Sequence, residues 1–267
     1  MMLYVILSCL VCLLLLRFVY LARDKEIVKV VTTNFGNKHQ KPLILKKENE
    51  CLIIVTDPVG TPRVGESACL IAKGVITKQY ESSLVNVSPA DFLKKTCFLA
   101  HRAISEQMNA NNGGCSLALI YLHQKQLSYA SVGDIGIYLS DDELKQLNSF
   151  DLYKYQLRSR VLEGQISEES LLNNQLRNEL TAYLGHENLK KINISTAPIQ
   201  LVKHDQLFVA TRAVYESITL LNLERLVIGK GKPSFKIEVL ERWYHGKKLA
   251  NEQKQRAASA VLISHFK

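Results

Sequence analysis

Apolar positions along the chain fall into three patterns, and each predicts a different kind of element. The first is a block: 2–16 carries no charge, Arg17 interrupts it, and 18–22 continues it. About 21 such residues, at roughly 1.5 Å rise each, just cross a hydrocarbon core of roughly 30 Å. They predict a transmembrane helix, an anchor over 1–23, with Arg17 near its end and able to snorkel to the headgroups. No basic stretch precedes the block and no small-x-small site follows it, which argues against a cleaved signal peptide. Arg17, Arg23, Lys25 and Lys29 lie at or beyond its end. The positive-inside rule therefore places 24–267 in the cytoplasm, as the C-terminal domain of a single-pass cell-membrane protein.

The second pattern is the short β-branched or apolar run bounded by turn residues. It predicts strands at 27–33, 43–45, 51–56, 116–123, 127–132, 135–139, 143–147, 191–196, 206–210 and 258–266. The four between 116 and 147 follow one another so closely that an antiparallel meander is expected. The third pattern is helical spacing, over 65–80, 89 to about 108, about 152 to 184, 213 to about 227, and 235–253. Ser88-Pro89-Ala90-Asp91 is a helix start, with Ser as N-cap, Pro at the first helical position and an acid in the first turn. Ser167-Glu168-Glu169 opens another segment. Asp57 to Pro62 reads as a loop, because two prolines and a glycine fall within six residues. Antiparallel strand sets with helices between them predict an α+β sandwich.

Composition adds a partner class. The 267 residues are 47% hydrophobic and 22% charged, ordinary for one globular domain with a short appendage. A net charge of +9 suits nucleic acid, an anionic membrane or phosphorylated proteins. No basic run with interleaved aromatics and no zinc-finger or RNA-binding signature is present, so no nucleic-acid partner is expected. A domain held beside anionic lipids accounts for the charge more simply. Cys9 and Cys12 fall in the apolar block, while Cys51, Cys69, Cys97 and Cys115 are scattered among apolar neighbours, as buried free thiols in a reducing compartment would be. Cys97 and His101, at i and i+4, have the spacing of a thiolate–imidazole pair, but no third group accompanies them.

Several segments in order resemble the metal-dependent serine/threonine phosphatases of the PPM or 2C type. Gly113-Gly114-Cys115-Ser116 through Ile120, followed by Val132-Gly133-Asp134-Ile135-Gly136-Ile137-Tyr138, is similar to the family's small-residue strand and N-V-G-D-S-R-A-Y. Asp57-Pro58-Val59-Gly60, with Gly65-Glu66, resembles D-G-M-G…G-E. Val161-Leu162-Glu163-Gly164-Gln165-Ile166-Ser167-Glu168-Glu169 resembles V-x-x-G-x-I-T-x-E-E, and Leu180-Thr181-Ala182-Tyr183-Leu184-Gly185 resembles L-T-R-A-L-G. Asp205 to Val214 stands where the family has D-x-L-L-L-C-T-D-G-L, and 257–266 matches its closing strand. The resemblance implies a sandwich of two antiparallel sheets flanked by helices over 24–267. In the family, two Mn²⁺ or Mg²⁺ ions held by aspartates activate a water for attack on phosphorus.

Carried over residue by residue, the metal site is degraded. Asp57 keeps one aspartate, followed by Pro58 in place of glycine. The first aspartate falls at Lys41 or Ile44, and 35–47 contains no acid. The T-D-G aspartate is Arg212, and the closing D-N aspartate is Arg256. An arginine in a carboxylate's place opposes a divalent cation twice over. Asp134, sometimes an outer ligand in the family, reads here as a turn residue. The expectation is a pseudophosphatase with no catalytic residue, no metal beyond a vestigial Asp57, and no cofactor. His39 falls near the family's phosphate-holding arginine, so His39, Arg212 and Arg256 form a candidate anion pocket for a phosphorylated protein partner, with Asp57 expected to pair with the guanidiniums. A divergent phosphatase using Asp57, His39, His204 and Asp205 is the alternative, and a structural subunit of a membrane complex a third.

Overall fold

In the computed structural model, residues 28–35, 40–82, 87–108, 113–140, 142–187, 189–250 and 258–264 are described. The anchor expected over 1–23 lies outside them. Among the described residues, no helix is long and apolar enough to cross a membrane.

Eleven strands form two antiparallel sheets among the described residues. One sheet has the order β1 (Lys29–Phe35), β11 (Ala258–Ser264), β10 (Gln206–Ala210), β6 (Gly136–Ser140), β7 (Leu144–Gln146). The other runs β2 (Leu43–Lys46), β3 (Glu50–Gly60), β4 (Gly113–His123), β5 (Gln126–Val132), β8 (Asn193–Ile194), with β9 (Ile199–Gln200) also on β5. Because both faces of each sheet are covered, the inner strands are apolar at nearly every position. Ile53, Val55, Ala118, Ile120, Leu207, Val209, Val261 and Ile263 fill the space between the sheets. Their neighbours Leu52, Ile54, Leu117 and Leu119 face α1 (Pro62–Ser82) and α2 (Pro89–Gln107). On the far side, Phe208, Ala210, Ala260 and Leu262 face α6 (Leu220–Ile228) and α7 (Pro233–Ala250). The result is a helix–sheet–sheet–helix sandwich. Each fully buried Leu or Ile contributes about 1.5–3 kcal/mol.

Four expectations are corrected. Residues 57–60 are strand, not loop: β3 runs through Pro58 to Gly60 along β4. Proline is tolerated because Cys115, opposite Pro58, turns its own N–H and C=O away to Leu184, and β2 ends opposite Ile54. No ladder bond is therefore asked of the proline nitrogen. The meander is instead two hairpins in different sheets, β4–β5 and β6–β7, joined by a crossing at Gly133 and Asp134. Gly133 has φ +95°, and a Cβ there would meet Ser116 Oγ at 2.2 Å. The Asn148 side chain donates to Ser131 Oγ and Ile135 C=O and accepts from Ile137 N–H, satisfying the backbone where the chain changes sheets.

The helical stretch expected over 152–184 stops early. It yields α3 (Tyr153–Leu162) and α4 (Glu168–Asn173), capped by Ser167; then turns lead to single bridges Leu152↔Leu180 and Cys115↔Leu184. The segment 213–227 is likewise broken into α5 (Arg212–Tyr215) and α6, whose N-cap is Thr219.

Candidate functional site

At one end of the sandwich, β3, β4, the β5–β6 crossing, the end of β10 and the start of β11 come together. Asp57 is in register with Ser116 on β4, on the inter-sheet face shared by Ile53 and Val55. Ser116 Oγ donates to Asp134 Oδ1 at 3.0 Å. Asp134 is only 4% exposed. Its Oδ2 lies 3.6 Å from Arg212 Nη1, and the Arg212 side chain is 12% exposed. Arg212 Nε donates to Glu216 Oε1 at 2.7 Å, and Nη1 to the Asn178 carbonyl at 2.8 Å. Tyr215 donates its hydroxyl to the Asp134 carbonyl at 2.9 Å and stacks flat on Phe150, with centroids 5.2 Å apart. Asp151 Oδ2 accepts the Gly133 N–H at 2.7 Å.

The charges of this cluster explain its protonation. Burial pushes the Asp134 carboxyl up from its ordinary range, with the Ser116 hydroxyl and the Arg212 charge pulling against it. Burial also raises Asp151, opposed by the Gly133 N–H. Burial alone would lower Arg212, but its hydrogen bond and charge contact with Glu216 overcome that and raise it. Lys154 is lowered, first by burial and then by Arg212.

The sequence brought two of its site residues, Asp57 and Arg212, to this end. The carboxylates that meet Arg212 are Asp134 and Glu216; Asp57 was expected to pair with one or both of Arg212 and Arg256, and Arg256 is not described. Asp134 is thus more than a turn residue. Arg212 lends its charge inward, to acids of its own chain. His39 and Arg256, the other members of that pocket, lie outside the described residues. His204 and Asp205 sit at the opposite end, beside Gln206, which pairs with Ser140. There Asp205 Oδ2 accepts the Val202 N–H at 2.8 Å, so the pair cannot join Asp57 in one site. His101 is not a partner of a Cys97 thiolate: its Nδ1 accepts the Gly185 N–H at 3.1 Å, and burial pushes Cys97 up to about 12.

The two-ion site implied by the fold does not fit these residues. A divalent cation about 5 Å from Arg212 would be repelled by roughly 7 kcal/mol at an effective dielectric of about 20. Asp134 already accepts from Ser116 and faces the guanidinium. Among the described residues, no three His, Cys, Asp or Glu side chains are grouped to hold a metal ion.

Known proteins give this geometry a frame. No protein-family model matches the chain. The serine/threonine phosphatase stp of Listeria monocytogenes is 24% identical over 201 residues, 72% of this chain and 78% of its own; that of Listeria innocua matches over the same span, also at 24%. Among solved structures, the S. agalactiae serine/threonine phosphatase superposes with a TM-score of 0.71 at 16% identity, over 89% of this chain and 98% of that one. The PPM Ser-Thr phosphatase of Mycobacterium smegmatis superposes with a TM-score of 0.62 at 14% identity, over 89% and 97%.

Proposed function

We infer, from a chain with the fold of the PPM-type serine/threonine phosphatases and with such enzymes as its relatives, that this phosphatase-like domain works by binding and not by hydrolysis. The supporting observation is the Arg212–Asp134 contact at the end of the sandwich where the family's motifs converge. Arg212, which by the motif resemblance stands where the family has a metal-binding aspartate, there engages Asp134 at 3.6 Å. In-line attack on phosphorus by the relatives' route requires a strongly polarised water, and nothing in the Arg212–Asp134–Ser116 set supplies one. A protein partner is the reading that the charge and the anchor sequence support, with phosphorylation of that partner the property to test first.

The experiment is an assay of the full chain on para-nitrophenyl phosphate and a phosphothreonine peptide, with Mn²⁺ from zero to millimolar, alongside a binding titration of the same peptide. Binding without turnover at any Mn²⁺ concentration is the expected result. Mn²⁺-dependent turnover that disappears in Asp57→Asn would overturn the reading and establish a divergent phosphatase.

A further inference from the structure

The end of the sandwich opposite Asp134 carries a set of features that the site does not use. The first strand begins there: Lys29 pairs with Ser264, while Asn34, near the other end of β1, pairs with Ser259 beside Thr211. The β4–β5 turn brings Lys125 to the same end, and the Lys125 carbonyl accepts the Leu201 N–H at 2.8 Å, tying the following loop to it. That loop exposes Lys203 and leaves Val202 57% exposed. Lys236 holds the outer helices in place. Its Nζ donates to Gln206 Oε1 at 2.7 Å and to the Val227 carbonyl at 2.6 Å, fastening the end of α6 and the start of α7 to the first residue of β10. Lys230 and Lys232 are consequently exposed at this end, with Phe235 55% exposed beside them.

We propose that this end is a membrane-contacting face, seated on a bilayer surface rich in anionic headgroups, with Lys29, Lys125, Lys203, Lys230 and Lys232 against the phosphates and Phe235 entering the interface. Charge complementarity is one argument. Among the described residues, the exposed acids near this end are Glu48, Asp142, Glu143 and Glu238, fewer than the five lysines; Glu238 is paired with Arg242, and Asp205 is turned inward to cap Val202. The path of the chain is the second. Only 23–28 separate the apolar block from Lys29, a reach of at most about 20 Å fully extended. The site end is a further strand length away, about 23 Å at 3.3 Å per residue. Each lysine at a surface of this kind adds to the attraction, and an aromatic ring suits the headgroup level. The proposal takes the apolar block as inserted, and is independent of whether the site hydrolyses anything.

The test reconstitutes the full chain in vesicles of phosphatidylcholine alone, or with about a third phosphatidylserine, each carrying a headgroup-attached nitroxide quencher. An environment-sensitive fluorophore is placed at Val202→Cys and, in a separate preparation, at Asn178→Cys at the site end. Expected is strong quenching at 202 and little at 178, with the quenching at 202 greater in the phosphatidylserine vesicles. It should fall about fivefold for each of Lys203→Glu, Lys230→Glu and Lys232→Glu, and fall again in half-molar salt. Equal quenching at both positions, quenching greater at 178, or no response to charge reversal would overturn the proposal. So would failure of the chain to float with vesicles, which would also remove the anchor. Circular dichroism of each variant confirms that the fold is intact before quenching is read.

Discussion

Asp134 and Arg212 are separated in the sequence by five strands, β6 to β10, and by α3 and α4, yet they meet at the end of the inter-sheet space. Asp134→Ala would leave a mostly buried guanidinium facing only Glu216 and the Asn178 carbonyl. A loss of about 1–3 kcal/mol in urea denaturation is expected; no loss would mean that the 3.6 Å contact contributes nothing. Arg212→Asp tests the metal argument from the other side. It returns a carboxylate next to Asp134, so the melting temperature of the variant should rise with millimolar Mn²⁺ while that of the wild type stays fixed. The arginine was legible in the sequence because a motif marks its place. A motif marks Asp134 too, but its pairing was not legible, because an aspartate after glycine between two strands has the ordinary chemistry of a turn and only the change of sheet buries it. At alkaline pH the buried thiols and phenols both weigh against the folded state. Burial raises Cys51 to about 11 and Cys97 to about 12, so between pH 9 and these values the unfolded chain releases protons that the folded chain keeps. Stability should therefore fall across that window. Lys236 acts in the opposite sense: burial lowers it to about 8, and its contribution grows as pH rises from 8 towards 10.5. Lys236→Met should make the alkaline decline steeper in melts between pH 8.5 and 11.

At the scale of elements, local rules held wherever one segment could satisfy itself. The Ser88 side chain accepts the Asp91 N–H as the sequence leads one to expect, and Ser88→Ala should cost about 1 kcal/mol, read from the urea midpoint. Strands were legible as apolar runs, including those whose two faces are both buried. What escaped was any feature set by a distant partner. The periodicity after Asn174 is helical, but Leu184 is claimed by both backbone groups of Cys115, and the intervening residues turn to reach it. The crossing between sheets left no break in the apolar pattern, since 127–139 reads through as strand, turn, strand. Gly133 is the residue that makes the crossing possible. Gly133→Ala combines a left-handed backbone with a 2.2 Å approach to Ser116 Oγ, and should cost at least about 2 kcal/mol by thermal or chemical melting. A variant as stable as the wild type would mean that the crossing relaxes more freely than its packing implies.

At the scale of the molecule, the two-sheet sandwich could be read from motif order, and its four-layer section follows from the alternation of buried positions in β3, β4, β10 and β11. The two outer strands of this plan have a consequence in time. β1, which follows the apolar block, pairs along its whole length with β11, the last strand, and β10 reaches β1 only through β11. The first sheet is therefore incomplete until the ribosome has delivered residues 258–264. At roughly 5–20 residues per second, β1 waits on the order of ten seconds to a minute with its apolar residues unpaired. The second sheet meets no such delay, since β2, β3, β4 and β5 follow one another and pair as neighbours. Synthesis should thus yield a half-built domain, its helix-backed sheet formed and its inner face bare, until β11 emerges. Pulse proteolysis of stalled nascent chains ending at Val132 and at Lys267 would show this order, with a protected β2–β5 unit in the first and protection of β1 only in the second.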